Sequence, residues 1–304
     1  MNKTVIVITG PTAAGKTASA IGLCRALDGE VINADAMQVY RGMDIGTAKP
    51  SPEEQRAIRH HLIDIRNPME PYSVADYVPE AENRILDIHA RGRTAVVCGG
   101  TGLYVQSLME GLAFDSSARD DDIRRGLEQA ADRDGIPVLL ERLTAIDPEY
   151  AARLGVRDRR RIIRALEIHA TTGRTATRFR EESRSRGSPF RFLAFCLTLP
   201  RPLLYAQIEQ RIDRMMAEGL PEEAARILNG GAGTTARQAI GYKEFLPYFD
   251  GKASLAEVTS EIKQSTRRYA KRQLTWFRRM AALEWMDNTD PATALDQIIQ
   301  RIER

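Results

Sequence analysis

Near its amino end the chain carries a short apolar run at positions 5–8 that leads straight into Gly10-x-x-x-x-Gly15-Lys16-Thr17. A strand that ends in this pattern and restarts as a helix is a phosphate-binding loop. Its glycines let the backbone bend until successive N–H groups point at phosphate oxygens, and the positive end of the following helix faces the same point. Gly10, Thr12, Ala13, Ala14, Gly15 and Lys16 would then surround a polyphosphate, with Lys16 against a terminal phosphate and the Thr17 hydroxyl on Mg²⁺. An ordinary strand–helix turn has no need of both Lys16 and Thr17. The loop specifies a polyphosphate and does not specify ATP.

The loop also predicts an α/β fold. Helical spacing at 16–27, 74–91 and 103–108 alternates with strand-like runs at 5–8, 30–34 and 94–98. Such alternation builds a parallel sheet flanked by helices, with ligands outside the carboxyl ends of its strands. The Gly10 loop, Asp35 and Thr101 should therefore meet at one rim. Between 115 and 188 the pattern turns charged and helical, with helices expected at 119–134, 137–146 and 158–171. A strand at 190–199 then rejoins the sheet, and helices are expected at 203–228, 254–282 and 291–302. The expected architecture is a P-loop NTPase-like core, 1–114 and 189–304, with a helical, arginine-rich insertion at 115–188.

A chain of 304 residues is long enough for a large core plus such an insertion. Its three cysteines, Cys24, Cys98 and Cys196, show no metal-binding spacing, which favours a reducing, cytoplasmic setting and argues against a zinc site. The first apolar run is too short for a signal peptide or a membrane span. His60-His61 has no partner at ligand spacing and reads as structural.

Asp35 ends the second strand. A carboxylate there can take a proton from a nucleophile or help to hold Mg²⁺; equally, it can form a turn. The polar neighbours Gln38, Tyr40, Arg41, Thr47 and Lys49 favour a site. The strand at 94–98 ends in Gly99-Gly100-Thr101-Gly102, where a hydrolytic loop protein usually carries an aspartate. Two readings stay open for this turn: close approach of a substrate, or glycine used for backbone freedom.

Arginine dominates the insertion, with Arg157, Arg159, Arg160, Arg161 and Arg164 in one cluster and Arg174, Arg178, Arg180, Arg184 and Arg186 in a second. Nearby acids are few, so a nucleic-acid backbone is the favoured partner over a solvated face. Arg267/Arg268, Lys271/Arg272 and Arg278/Arg279 form a further basic band on one helix. It reads either as a phosphate contact or as an exposed face.

Taken in order, GPTAAGKT (10–17), NADAMQVYRGMDIGTAKP (33–50), HHLID (60–64), GGTGLY (99–104), RRIIRALEI (160–168), QAIGYKE (238–244) and RRYAKRQLTWFR (267–278) resemble the tRNA dimethylallyltransferase family, also called tRNA isopentenyltransferases. The resemblance spans nearly the whole chain. It implies transfer of a dimethylallyl group from dimethylallyl diphosphate to N6 of adenosine 37, with Mg²⁺ as cofactor and the tRNA anticodon stem-loop as partner. It implies Asp35 as general base, Thr101 at the reacting centre, and Arg211 with the loop on the diphosphate. Asp35, Ala36, Met37, Gln38 and Thr101 would meet the target nucleotide. Arg124, Arg160, Arg161, Ile162, Ile163 and Arg164 would meet the rest of the tRNA. Ala36 replaces the serine usual in the family, and the sequence ends without the zinc-finger extension of eukaryotic members, which implies the bacterial form. A cytoplasmic monomer with no membrane partner is expected.

Prenyl transfer activates no water, so the missing aspartate after the third strand fits it. The rival enzyme readings are a nucleotide or small-molecule kinase and an adenylate isopentenyltransferase; a non-enzymatic RNA-binding module is the third. The basic clusters predict that anticodon stem-loop affinity falls by at least about tenfold between roughly 50 and 200 mM salt, measured by filter binding. A flat salt dependence would exclude contact through them.

Overall fold

The computed structural model describes residues 4–115 and 118–304. In chain order the first elements are β1 (Thr4–Thr9), α1 (Lys16–Ala26), β2 (Gly29–Asn33), α2 (Pro52–Ala57), β3 (His60–His61), α3 (Val74–Ala90), β4 (Thr94–Cys98) and α4 (Gly102–Glu110). Five helices follow: α5 (Asp121–Asp134), α6 (Ile136–Ile146), α7 (Pro148–Ala151), α8 (Arg159–Thr172) and α9 (Ala176–Arg184). The chain continues with β5 (Arg191–Thr198), α10 (Arg201–Ala217), α11 (Leu220–Asn229), α12 (Thr234–Arg237), a 3₁₀ turn at Lys243–Phe245, α13 (Leu246–Phe249), α14 (Leu255–Phe277), β6 (Leu283–Asp287) and α15 (Pro291–Ile302). Packing divides the chain into two compact units: residues up to Met109 with Pro189–Arg304, and Glu110–Ser188.

The first unit is built on six parallel strands in the order β3-β2-β4-β1-β5-β6. Val5, Val7 and Ile8 in β1 and Ala95, Val96 and Val97 in β4 are fully buried, as expected of strands covered on both faces. Cys98 stands opposite Ile8 on one side and Asn33 on the other, so the ends of β2, β4 and β1 lie abreast. At the start of β2, buried Glu30 accepts from Arg91 and Arg93 and pairs with His61 Nε2 at 2.6 Å. The Arg91 hydrogen bond holds the Glu30 carboxyl well below the usual carboxylate range. This accounts for the structural reading of the histidine pair.

Two elements differ from the sequence reading. The single helix expected over 203–228 is two, because Gly219 adopts a left-handed φ of 101° between α10 and α11, and Pro221 opens the second. The strand β6 was not anticipated. Its sequence LEWMD is half polar, and it pairs only with β5. Among the described residues no helix is long and apolar enough to cross a membrane.

In the second unit, helices α5 to α9 enclose an apolar core that includes Leu127, Leu139, Leu143, Ile162, Ile163 and Leu166. Two expected tRNA contacts are corrected here: Ile162 and Ile163 are 0% and 2% exposed, so their side chains build this core and cannot touch RNA. Much of the arginine charge is also answered locally. Arg164 pairs with buried Glu167 at 2.9 Å and donates to the Ala118 carbonyl; Arg124 lies 3.2 Å from Glu128 and 3.8 Å from Glu167. Arg174 pairs with Asp115 and Glu182, Arg178 with Glu182, and exposed Arg161 with Asp158 at 3.1 Å. Arg157, Arg160 and Arg180 take no ion pair among the described residues, and Arg160 is exposed. Replacing Ile162 by Ala should cost about 2–5 kcal/mol in a guanidinium melt, while Arg160→Ala should stay within about 0.5 kcal/mol. Equal costs would contradict this division of labour.

Candidate active site

The strand order β2-β4-β1 sets the turn after β4 between the loop after β1 and the residues after β2. Backbone bonds tie the three together. Gly99 N donates to Ile8 O (3.2 Å), Ala34 N to Cys98 O (2.8 Å) and Thr101 N to Ala34 O (3.2 Å). A Cβ on Gly99 would run into the Ala34 backbone. Glycine is therefore required at Gly99 by close approach of the two strand ends.

In the loop itself Ala13 turns to a left-handed φ of 64°, and Gly15 to 83°, just before α1 begins. The amides of Ala13, Gly15, Lys16 and Thr17 take no backbone partner among the described residues. They are free donors at a helix N-terminus, which is the equipment of an anion site. Lys16 Nζ donates to Pro11 O at 2.7 Å. Arg211, from α10, donates to the Thr12 hydroxyl, while its Nε is buried with no partner. Burial pushes the Lys16 ammonium below its ordinary pKa and brings Arg211 down to about 10. Arg211 lowers Lys16 further and Arg214 lowers Arg211, while the Asp35 carboxylate lies close enough to raise both. Two desolvated cations facing one carboxylate are short of negative charge.

Asp35 does form a turn, since its Oδ1 accepts from Met37 N at 2.9 Å. Asn33 fixes the same segment by accepting from Asp35 N and donating to Asp35 O, both at 3.1 Å. Thr101 Oγ1 accepts from Ala36 N at 3.0 Å, so the hydroxyl is held directly beside the Asp35 segment. Gln38 turns both amide hydrogens inward, to Thr47 O and Ala48 O, each at 3.1 Å.

Three residues of this rim were not read from the sequence as part of it. Gln273 of α14, 5% exposed, accepts from Thr12 N and donates to Gly100 O, both at 2.8 Å, clamping the first loop to the third. Tyr269, one turn earlier, bonds Thr101 and Gln273, and burial raises its hydroxyl pKa. Asn288, just after β6, donates to Ala14 O at 2.8 Å while its buried Oδ1 is unpartnered. A signal for Gln273 existed: with Ala270 and Phe277 it shares the i, i+3, i+7 stripe that faces the core, where an amide has no bland reason to be.

Among the described residues no cluster of three or more His, Cys, Asp or Glu could hold a metal. A divalent metal would therefore have to arrive with its phosphates rather than sit in a cage of protein ligands.

This rim defines an α/β enzyme with a phosphate-loop-like core, in which free amides and two cations stand beside a carboxylate. A family model described as IPP transferase matches residues 38–280. The tRNA dimethylallyltransferase of Geobacter metallireducens is 47% identical over 285 residues, covering 93% of this chain and 92% of that one. The tRNA isopentenylpyrophosphate transferase of Bacillus halodurans superposes with a TM-score of 0.70 at 40% identity, over 100% of both chains. A eukaryotic dimethylallyltransferase acting on tRNA gives a TM-score of 0.83 at 30% identity, over 96% of this chain and 75% of that one. The chain belongs to the IPP transferase family.

An anion held between Lys16 and Arg211 would select their charged forms, raise their pKa values and take up protons at alkaline pH. Calorimetry near pH 9 with an alkyl diphosphate, which is fully ionised well below that pH, in two buffers of different ionisation heat should show proton uptake, and affinity should fall as pH climbs towards the Arg211 value of about 10. Binding without proton uptake would remove these two cations from the anion site.

Proposed function

We propose that this enzyme is a tRNA dimethylallyltransferase that moves a dimethylallyl group from dimethylallyl diphosphate to N6 of adenosine 37, beside the anticodon, and releases diphosphate. The observation that carries the reading is the pair of desolvated cations, Lys16 and Arg211, beside the Asp35 carboxylate, with no aspartate at the end of β4. The relatives named above act in the same way by name, over nearly the full chain.

The adenine N6 lone pair is delocalised into the ring, which makes the amine a poor nucleophile. As the N6–C1 bond forms, Asp35 takes the N6 proton; general-base help of this kind is worth about 10²–10⁴-fold. The C1–O bond breaks, and its electron pair leaves with the diphosphate. Charge developing there meets donors already in place: the free loop amides, Lys16 and Arg211. A Mg²⁺ held at Thr17 would neutralise further diphosphate charge. Thr101, fixed by Ala36 N and Tyr269, steadies the reacting centre. The target base must leave its stack to reach this rim, at least cost from a single-stranded loop. Arg160 and its exposed neighbours supply RNA backbone contacts, in the cytoplasm.

Incubation with dimethylallyl diphosphate and an anticodon stem-loop bearing A36-A37-A38 should add C₅H₈ to A37 by mass. Asp35→Asn should cut turnover by about 10²-fold or more while stem-loop binding survives. Phosphoryl transfer from ATP, or preference for free AMP over RNA, would replace this reading with a rival one; unchanged turnover in Asp35→Asn would remove Asp35 as the base.

A further inference from the structure

A carboxylate far from the reacting centre in sequence is buried against the segment that follows Asp35. Glu223 of α11 is 3% exposed. Its Oε2 accepts from Asp44 N at 2.9 Å and Ile45 N at 3.0 Å, and its Oε1 from Gly46 N at 2.9 Å and Tyr242 Oη at 2.8 Å. Three consecutive backbone amides on one buried carboxylate form a rigid anchor, because each is a charge-assisted bond to the same group. The Tyr242 ring closes the anchor from the other side; a Cβ on Gly46 would come within 2.7 Å of it.

The anchored amides lead straight to the two carbonyls that hold Gln38. Thr47 Oγ1 donates to Met43 O at 2.7 Å, and Ala48 N to Ile45 O at 2.9 Å. Lys49 Nζ reaches back to Tyr40 O at 2.9 Å and to Asp44 and Asp64 at 2.5 and 2.6 Å. Ala48 is held at a left-handed φ of 50°, a conformation that persists only where its surroundings impose it. Within this closed loop the Thr47 and Ala48 carbonyls take both hydrogens of Gln38 Nε2. The amide orientation is thereby determined, and Gln38 Oε1, which takes no hydrogen bond among the described residues, is left as an acceptor.

We propose that Glu223 is a positioning residue for nucleotide recognition: by anchoring the 44–46 amides it orients Gln38 so that its amide oxygen is presented to the RNA as an acceptor for a base N–H donor. This rests on the reading that the segment after Asp35 meets the target nucleotide. The diphosphate site does not depend on this anchor, since its side chains come from α1, α10 and α14 and its free amides from the loop after β1.

Replacing the carboxylate by an amide turns an NH₂ towards at least one backbone donor, a loss on the scale that raises a binding constant about tenfold. Initial rates with each substrate varied in turn should therefore show Glu223→Gln raising KM for the stem-loop about tenfold and leaving KM for dimethylallyl diphosphate within about twofold. In a Gln38→Ala background the same substitution should change the stem-loop KM by less than about threefold, because both changes act on one element. Parallel shifts in both KM values, no shift, or independent effects in the double variant would overturn the proposal. Should Glu223→Gln melt below the assay temperature, Tyr242→Phe carries the test. It removes a single bond to Oε1 and should raise the stem-loop KM alone, by about threefold. Failure of the wild-type enzyme to prenylate the stem-loop would overturn the functional reading instead. In that event the ratios of stem-loop dissociation constants among the same proteins test the role of Glu223 by the same pattern.

Discussion

Two half-buried cations organise the candidate site. Lys16 and Arg211 come from different parts of the chain and are desolvated by the same rim, with the Asp35 carboxylate nearby. Left alone, such an arrangement is costly, because like charges in a poorly hydrated place repel and each has given up solvation. The free amides ahead of α1 add to the positive potential, so the place is short of negative charge.

The rim is held by the residues that complete the sheet and cover it. Gln273 links the loop after β1 to the turn after β4, and Asn288 grips the first loop from the end of β6. Both side chains spend their amides on backbone groups, so the loops are set before any ligand arrives. Such preorganisation is what allows fixed donors to stabilise a leaving group without rearranging during the reaction. Glu223 does the same for the amides of Asp44, Ile45 and Gly46 in the segment after Asp35.

The arginine-rich unit shows how charge in a sequence differs from charge on a surface. The acids near its arginines looked too few, yet Glu167 and Glu182 each serve two guanidinium groups. Sharing of that kind leaves no trace in a count. Ile162 and Ile163, quoted with the basic run as one motif, belong to the core, since a helix turns neighbouring residues to different faces. The run therefore divides into exposed Arg160 and Arg161, a half-buried Arg164 tied to Glu167, and two isoleucines that hold the unit together.

The sequence by itself determined the phosphate loop, the parallel α/β core and the chemistry open to Asp35. Each of these rests on local rules: glycine backbone freedom, strand–helix alternation, and a carboxylate placed at a strand end. Only the tertiary structure decided which distant side chains serve that loop. Arg211, named through resemblance alone, reaches Thr12 because α10 packs where it does, and Gln273, Tyr269 and Asn288 arrive from helices and strand ends far along the chain. Strand β6 escaped notice because a half-polar pentapeptide becomes a strand only when β5 offers it an edge. Partners separated by so much chain are chosen by packing, and packing is a property of the whole fold.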